Sequence, residues 1–310
     1  MNFEQTKKGY ADGLLELGRR GFPNLIVLDT DVAKATRTAD FMAVYPDQFF
    51  NCGVQEQNCL SVAAGLSIEG FVPFATSFGM FFTFRAADQL RNSIAYPKAN
   101  VKVAATHCGA STGGDGASHQ VNEDIAVCRS IPNMTILIPG DYEEAKQATI
   151  AAAYFNGPVY LRFGRDSYPI VPEIHGDFEI GKARVLRQGA DLSIFTTGIM
   201  VSEGIKAADI LKESGITARV VHFPTIKPID KEAIISAAKE TRYILTIEEH
   251  SIIGGLGEAV AGIVSETHPT KVIRMGILDV FGQSGQSQEL LDWYGLRAVN
   301  IVDRVLNCQL

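Results

Sequence analysis

The chain of 310 residues has 28 lysine and arginine residues against 35 aspartate and glutamate residues, a formal net charge of −7. This acidic balance argues against nucleic acid or an anionic membrane as the main partner. Hydrophobic residues make up 46% and charged residues 20%, as in ordinary globular proteins, and the length predicts two domains rather than one.

The N-terminal residues lack the apolar core of a signal peptide, and no later apolar run is long enough to span a bilayer. The cysteines are odd in number, scattered and without a Cys-x-x-Cys pair, which favours reduced thiols of a cytoplasmic protein over disulfides or a zinc site. The five are Cys52, Cys59, Cys108, Cys128 and Cys308.

In the first half of the chain, predicted helices alternate with predicted strands. An amphipathic helix over residues 6–20 precedes a buried strand over 24–28 that ends in Asp29-Thr30-Asp31. Further strands are predicted at 71–76, 101–106, 135–138 and 158–163, and further helices at 56–66, 77–91, 121–129 and 141–155.

The periodicity fades between residues 164 and 188, where prolines and glycines are frequent, and a second alternating series follows. We therefore expect a first domain over residues 1–166, a linker over 167–189 and a second domain over 190–310. Strands alternating with helices predict an α/β fold of two successive three-layer domains with mostly parallel sheets. In the second domain, strands are predicted at 192–196, 218–223, 243–247 and 271–275, and helices at 201–213, 231–239, after 257 and near 288–293.

One carboxylate stands out because of its position. A turn at Asn51-Cys52-Gly53 is followed by Glu56 at the head of an apolar, small-residue helix, and neither that helix nor the turn offers an obvious cationic partner. Unpaired N–H groups at a helix start favour a carboxylate, so one interpretation is a simple N-terminal cap. The other is a buried acid directed at a ligand.

Two other stretches indicate a site. Phe78, Phe81 and Phe84 lie at i, i+3 and i+6, a spacing that predicts either aromatic core packing or a flat surface for a ligand ring. The glycine-rich loop, residues 107–120, contains His107, Asp115 and His119, a composition with no evident packing purpose. Its glycines match neither a Walker motif nor a dinucleotide fingerprint.

These stretches resemble the C-terminal half of transketolase, as found in the small second subunit of split bacterial transketolases. The resemblance spans essentially the whole chain, and its strength lies in the joint order and spacing of several motifs. They are Gly53-Val54-Gln55-Glu56-Gln57-Asn58, Phe78-x-x-Phe81-x-x-Phe84 before Arg85, Asp115-Gly116-Ala117-Ser118-His119-Gln120, Ile131-Pro132-Asn133-Met134, Gly157-Pro158-Val159-Tyr160-Leu161-Arg162, Glu248-Glu249-His250 and Gly254-Gly255-Leu256-Gly257.

The resemblance implies a thiamine diphosphate site, with a pyrimidine-binding domain followed by a transketolase C-terminal domain. Glu56 matches the glutamate that hydrogen-bonds N1′ of the aminopyrimidine and promotes the tautomer whose N4′ removes the thiazolium C2 proton. This role needs a carboxyl group in a dry pocket, where it shares a proton with the ring. Phe78, Phe81 and Phe84 match the aromatic wall beside that ring, and Asp31 matches an acidic residue close to the cofactor.

On the substrate side, His119 matches a histidine near the reacting carbons of the sugar, a candidate for proton transfer or hydrogen bonding. Glu56 and His119 are thus the expected catalytic residues. Asp115 matches an aspartate that recognises a substrate hydroxyl. His107 and Arg165 match residues near the phosphate end of a sugar phosphate, where the arginine fork suits phosphate oxygens.

Two positions depart from the family pattern at this phosphate end. Lys7 stands where the family commonly has an arginine, which keeps the charge and loses the bidentate geometry. Ala35 replaces the expected phosphate-binding serine, with Thr36 as a candidate substitute. We therefore expect a phosphosugar without assuming the usual pentose phosphates.

Full transketolases bind the diphosphate and its Mg²⁺ through an N-terminal domain with a Gly-Asp-Gly motif and a downstream asparagine. Gly114-Asp115-Gly116 spells the tripeptide, but it lies in the glycine-rich loop and no fitting asparagine follows. The resemblance therefore implies that no residue of this chain is a principal metal ligand. It implies a partner subunit that carries the diphosphate–metal half, with the site at the interface and an α2β2 assembly.

Three alternatives remain open. The β subunit of a 2-oxo acid dehydrogenase E1 component has the same two domains and a similar size, and would transfer an acyl unit to lipoamide. A condensation like that of deoxyxylulose-phosphate synthase is disfavoured because that family keeps both halves in one chain. A structural or regulatory subunit is the non-enzyme hypothesis, against which stand the intact Glu56, His107, Asp115 and His119.

Overall fold

The structure is a computed structural model that describes residues 2–308. Within this part of the chain the strands alternate with helices in both halves, as predicted. The strands are β1 (Phe3–Gln5), β2 (Leu25–Asp29), β3 (Phe49–Asn51), β4 (Val72–Phe78), β5 (Lys102–Thr106), β6 (Thr135–Leu137), β7 (Val159–Arg162), β8 (Ser167–Pro169), β9 (Arg184–Arg187), β10 (Leu192–Thr196), β11 (Ala218–His222), β12 (Thr225–Lys227), β13 (Ile244–Ser251) and β14 (Val272–Ile277).

The α-helices cover the faces of the sheets. They are α1 (Thr6–Arg19), α2 (Ala33–Thr36), α3 (Thr38–Val44), α4 (Glu56–Ile68), α5 (Asp124–Ser130), α6 (Tyr142–Tyr154), α7 (Met200–Glu213), α8 (Lys231–Glu240), α9 (Leu256–Glu266), α10 (Ser287–Trp293) and α11 (Ala298–Leu306). None of the helices in the described residues is long and apolar enough to cross a membrane.

Two sheets organise the described residues. The first has seven strands in the order β12-β6-β7-β5-β4-β2-β3, and the second has five in the order β14-β13-β10-β11-β9. Neighbouring strands run parallel except at the edges, where β12 pairs antiparallel with β6 and β9 antiparallel with β11. The predicted fold class, two α/β domains with mostly parallel sheets, is confirmed.

Three apolar clusters give each sheet a helical layer on both faces. Tyr10, Leu14 and Leu17 of α1 pack with alanines of α6 on one face of the first sheet. On the opposite face, apolar side chains of α4, α5, α8 and α9 form one cluster, which extends to the second sheet. The outer face of the second sheet packs against α7, α10 and α11. Because the middle cluster spans both halves, the two domains share a buried apolar interface.

The stretch predicted as a linker, residues 167–189, is only partly irregular. It contains β8, which pairs antiparallel with β1, and β9, which forms an edge of the second sheet. Conversely, β12 comes from the second half of the chain and forms an edge of the first sheet. Short edge strands of this kind lack the length and alternation that make strands recognisable from sequence.

The predicted helix over residues 77–91 is wrong in its geometry. Strand β4 runs to Phe78, and the helical turns that follow contain two π-helical segments, Phe81–Arg85 and Gln89–Ala95. Each wider π turn changes the angular spacing of successive side chains, so residues at i, i+3 and i+6 do not share one face as they would on a regular α-helix.

Candidate active site

Glu56 lies at the first position of α4 and is 2% exposed. The chain reaches it through Gly53, whose φ of +72° is a left-handed conformation that favours glycine. The expectation of a buried acid at a helix start is therefore met by its position. The N-terminus of the helix favours a negatively charged carboxylate at this position.

Glu56 has a cationic partner that local sequence patterns did not indicate. Arg85 Nη1 donates hydrogen bonds to both carboxylate oxygens, at 3.0 Å to Oε1 and 2.9 Å to Oε2. The Arg85 guanidinium also lies 4.3 Å from the centre of the Phe81 ring, a cation–π contact. The side chain of Arg85 is 49% exposed, so this ion pair connects the buried carboxylate with the surface.

An aromatic cluster lies at the carboxyl end of β4. The rings of Phe78 and Phe81 are 6.0 Å apart and nearly parallel, at 26°. His107 lies against Phe78 with ring centres 4.0 Å apart, and His119 meets the edge of Phe81 at 5.3 Å. Phe78 and Phe81 of the predicted aromatic wall thus form one group with the two loop histidines.

Phe84, the third phenylalanine of the predicted aromatic wall, lies outside this cluster. It lines a neighbouring cavity of about 380 Å³ with Met80, Ala117 and Phe281, and it is 46% exposed. The π-helical turn that separates it from Phe81 accounts for the difference.

His107 is buried and neutral. Burial, together with the nearby positive charges of Lys7 and Arg165 and the ring of His119, lowers its pKa to about 3. Its Nδ1 lies 2.9 Å from Thr106 Oγ1. A neutral imidazole in this position acts as a hydrogen-bonding group, and it contributes no positive charge toward an anion at neutral pH.

Lys7 and Arg165 line a polar cavity of about 370 Å³ beside the glycine-rich loop. Burial, together with the charges of Arg165 and Arg37, lowers the pKa of Lys7 to about 8. The Lys7 ammonium donates to the carbonyl of Ala35 at 3.0 Å. Arg165 binds Asp115 at 3.2 Å and the carbonyl of Thr112 at 2.7 Å. Asp166 also lines the cavity, so its charged lining consists of two cations and a carboxylate, with Asp115 paired to one of the cations.

Thr36 is not a substitute for the phosphate-binding serine. It is fully buried, and its hydroxyl donates to Asp29 Oδ2 at 2.8 Å. Asp29 also accepts from Thr38 and from the backbone N–H of Val32, and burial raises its pKa. The threonine therefore serves a buried carboxylate at the end of β2, which leaves Lys7 and Arg165 as the candidate anion ligands at this end.

Asp31 lies just beyond the end of β2 in a left-handed conformation, with φ +68°. It is exposed, and Oδ1 accepts a hydrogen bond from Asn51 Nδ2 at 2.8 Å. Because Asn51 Oδ1 in turn accepts from the N–H of Gly53, this pair fixes the turn that leads to Glu56. Asn51 is a further site residue that no sequence motif singled out by itself.

The described residues contain no group of three or more histidine, cysteine, aspartate or glutamate side chains that could hold a metal ion. All five cysteines are free thiols. The groups that the described residues bring together are therefore a buried carboxylate near aromatic rings and a polar cavity lined by Lys7, Arg165 and Asp166.

Two family models match almost the whole chain. Residues 4–171 match the transketolase pyrimidine-binding domain, and residues 181–301 match the transketolase C-terminal domain. A protein of Methanocaldococcus jannaschii whose name describes a transketolase C-terminal section is 47% identical over 98% of this chain and 96% of its own length.

Two relatives of similar size are named for particular sugars. The 6-deoxy-6-sulfo-D-fructose transketolase subunit of a Clostridium species is 37% identical, over 94% of this chain and 91% of its own length. One of the subunits of the apulose-4-phosphate transketolase of Phocaeicola vulgatus is 38% identical, over 95% of this chain and 94% of its own length.

Among solved structures, a split-gene transketolase described as an inactive β4 tetramer has a TM-score of 0.90 and 45% identity, covering 97% of each chain. These comparisons agree with the resemblance seen in the motifs: both domain models match, and the relatives and the solved structure match over nearly their full length. The chain is a member of the transketolase family, of the type found as the C-terminal subunit of split enzymes.

Proposed function

We propose that this chain is the pyrimidine-binding subunit of a thiamine-diphosphate-dependent transketolase that transfers a two-carbon ketol unit from a ketose to an aldose. The observation that carries the proposal is the position of Glu56, buried at a helix start and linked to the Phe81 ring through Arg85. A carboxylate and a flat aromatic face side by side suit an aminopyrimidine ring, which needs one hydrogen-bonding partner and one stacking surface.

Thiamine diphosphate supplies the carbanion chemistry of ketol transfer, which protein side chains cannot supply by themselves. The residues of this chain act around it. Glu56 binds the pyrimidine ring and shares its proton, with Phe78 and Phe81 as the wall. His119, at the edge of Phe81, faces the reacting carbons of the sugar. Asp115 binds a sugar hydroxyl.

The polar cavity is the proposed binding site for the end of the substrate that lies away from the reacting carbons. Lys7 and Arg165 both line it, and two cations suit the terminal anionic group of a sugar phosphate. Relatives of nearly equal identity are named for a sulfonated sugar and for a phosphorylated sugar, so the family accommodates more than one anionic group. We propose a sugar phosphate as the substrate class.

The diphosphate and Mg²⁺ are held by a partner subunit in this proposal. Support comes from relatives that are named as subunits, and from Asp115 of the Gly-Asp-Gly tripeptide, which pairs with Arg165 on the substrate side. We propose an N-terminal-half transketolase subunit as that partner, in an α2β2 assembly with the site at the interface.

The test is the Glu56→Gln variant in the complex reconstituted with the partner, thiamine diphosphate and Mg²⁺. A panel of ketose and aldose phosphates is assayed for ketol transfer. We expect kcat to fall by about two to four orders of magnitude, because the proton shared with the pyrimidine is lost, while assembly is unchanged. Glu69→Gln is the matched control, since Glu69 is an exposed carboxylate at the opposite end of the same helix. Near-normal turnover of Glu56→Gln would show that the assignment is wrong.

A further inference from the structure

The motif Glu248-Glu249-His250 lies on β13 of the second domain, and its three side chains are buried. Two of them serve their own surroundings. Glu248 accepts the N–H groups of Leu256 and Gly257 and so caps the start of α9. His250 Nδ1 lies 2.7 Å from the carbonyl of Ser251. His250 Nε2 also accepts the backbone N–H of Ala126 in α5 at 3.4 Å. The role of Glu249 is different because its carboxylate reaches the glycine-rich loop of the first domain.

Glu249 holds the start of the glycine-rich loop. Its Oε1 accepts the backbone N–H of Ser111 at 2.5 Å, across 138 residues of sequence. Gly109 packs directly on the same group: a Cβ at this position would lie 2.5 Å from the Glu249 carboxyl carbon. The close approach requires glycine, and the charge-assisted hydrogen bond fixes the backbone of the loop at this point.

The backbone of Glu249 is itself anchored to the first domain. Arg162 Nη2 donates to the Glu249 carbonyl at 3.1 Å, and Arg162 Nε binds both oxygens of Asp124. Arg162 and Asp124 are almost completely buried, at 7% and 0% exposure of their side chains. A buried ion pair of this kind gives β13 one defined position relative to the loop.

The far end of the loop is also held by the second domain. Gln120 Nε2 donates to the carbonyl of Ala110 at 2.9 Å and to the carbonyl of Gln283 at 2.8 Å. Gly116 approaches Ser284 so closely that a Cβ there would lie 2.5 Å from the Ser284 hydroxyl. Asp115 and His119, the two expected sugar-binding residues of the loop, lie between Ser111 and Gln120 and so between these fixed points.

We propose that Glu249 is a positioning residue: the second domain acts as a template that sets the glycine-rich loop, and with it Asp115 and His119, for the sugar. This inference rests on the proposed function for the identity of the ligand. It gives the second domain a part in substrate binding although none of the predicted site residues lies there.

The experiment compares three substitutions in the reconstituted complex. Glu249→Gln keeps an amide oxygen at the position that accepts the Ser111 N–H. Glu249→Asp keeps the charge but shortens the side chain, and Glu249→Leu removes the acceptor. Amide hydrogen exchange of the peptide covering residues 109–120 is measured together with KM for the sugar and Kd for thiamine diphosphate. Glu258→Gln, an exposed acid of the same domain, is the control.

For Glu249→Asp and Glu249→Leu we expect exchange of the loop to rise by about tenfold or more, since a buried charge-assisted hydrogen bond is lost. KM for the sugar should rise by about the same factor, while Kd for thiamine diphosphate stays within about twofold, because the loop lies on the substrate side. Glu249→Gln keeps an acceptor of the same reach but loses the charge, so both values should rise less than in Glu249→Asp. If the Glu249→Leu variant does not fold, Glu249→Asp provides the same comparison with the charge retained.

Unchanged loop exchange in a folded Glu249→Asp complex would overturn the inference. So would an equal rise in KM for the sugar and Kd for the cofactor, which is the result of a general loss of structure. The exchange measurement needs no turnover. If the complex with wild-type Glu249 had no ketol transfer activity, the proposed function would be disproved. Faster loop exchange in the Glu249 variants of that complex would still support the positioning role.

Discussion

At the scale of single residues, Glu56 is defined as much by Arg85 as by its helix. The carboxylate is 2% exposed and the arginine 49%, so removing one partner is not equivalent to removing the other. Arg85→Met leaves a buried carboxylate without its cation, which we expect to lower the free energy of unfolding by about 1–3 kcal/mol. Glu56→Gln leaves an arginine that water can solvate, and its effect should be smaller.

A double-mutant cycle measures this pairing without any catalysis. Urea unfolding of the wild-type chain, the two single variants and Glu56→Gln/Arg85→Met should give a coupling free energy of about 1 kcal/mol. The four proteins are compared at one protein concentration, so that self-association affects all of them equally. Strictly additive effects would mean that the ion pair contributes nothing to stability.

We expect Lys7 to make the binding of an anionic substrate depend on pH. Its pKa is lowered to about 8, so the side chain is a cation below that pH and is neutral above it. An anionic substrate loses one of its two cationic partners as the pH rises through about 8, and KM for a sugar phosphate should therefore increase there. Lys7→Arg, which stays charged, should flatten the profile. The same increase in Lys7→Arg, or with an unphosphorylated sugar, would contradict this assignment.

The resemblance to the transketolase family predicted that Glu56, Phe78, Phe81, His107 and His119 belong to one site, whereas the separate motifs by themselves left this grouping open. The pairing of Glu56 with Arg85 could not be predicted, since 29 residues separate them and Arg85 lies in a π-helical segment that the sequence pattern does not indicate. Contacts of this type depend on tertiary geometry that a local pattern does not contain.

At the scale of elements, long helices and the buried inner strands were predictable, whereas short edge strands and irregular helical turns were not. The strands β2, β5 and β7 are continuous buried runs, typical of a sheet covered on both faces. The three-residue strands β8 and β12 have no such signal, because edge pairing alone defines them. Thr36 is a candidate phosphate ligand in the sequence for a related reason: the sequence does not tell which polar side chains after a strand are buried.

One missed element did have a signal. Helix α11 buries Ala298, Ile301, Val302 and Val305, which lie at i, i+3, i+4 and i+7. This is the spacing of an amphipathic helix, and it follows α10 after only a short turn at Gly295. The predicted series of helices ended at Trp293 although the pattern continued. The buried side chains of α11 join those of α7 in the outer layer of the second sheet.

At the scale of the whole molecule, the turn before Glu56 presents apolar side chains to solvent. Phe50 is 50% exposed and Val54 is 66% exposed. Exposed apolar groups next to a ligand site are typical of an interaction surface. The partner subunit that we propose would cover them when it brings its diphosphate-binding residues to Glu56.

This surface gives a prediction about assembly. Val54→Asp should reduce the affinity for the partner about tenfold or more, because a charge is placed within the proposed contact. Ile68→Asp is the matched control: Ile68 is 83% exposed and lies at the far end of α4, away from Glu56. Binding is measured by titrating labelled partner, and the mass of the complex by light scattering.

The same titration tests whether the site is shared between subunits. The chain alone, with thiamine diphosphate and Mg²⁺, should show no ketol transfer above the blank, and activity should saturate at one partner per chain with a mass corresponding to α2β2. Full activity without the partner would contradict the shared site. If Val54→Asp and Ile68→Asp lowered the affinity for the partner equally, the chain would still bind a partner, but the contact would not lie around Glu56. The turn favours the contact around Glu56 that we propose, since the hydrogen bond from Gly53 to Asn51 fixes the backbone just before Val54, and Val54 precedes Glu56 by two residues.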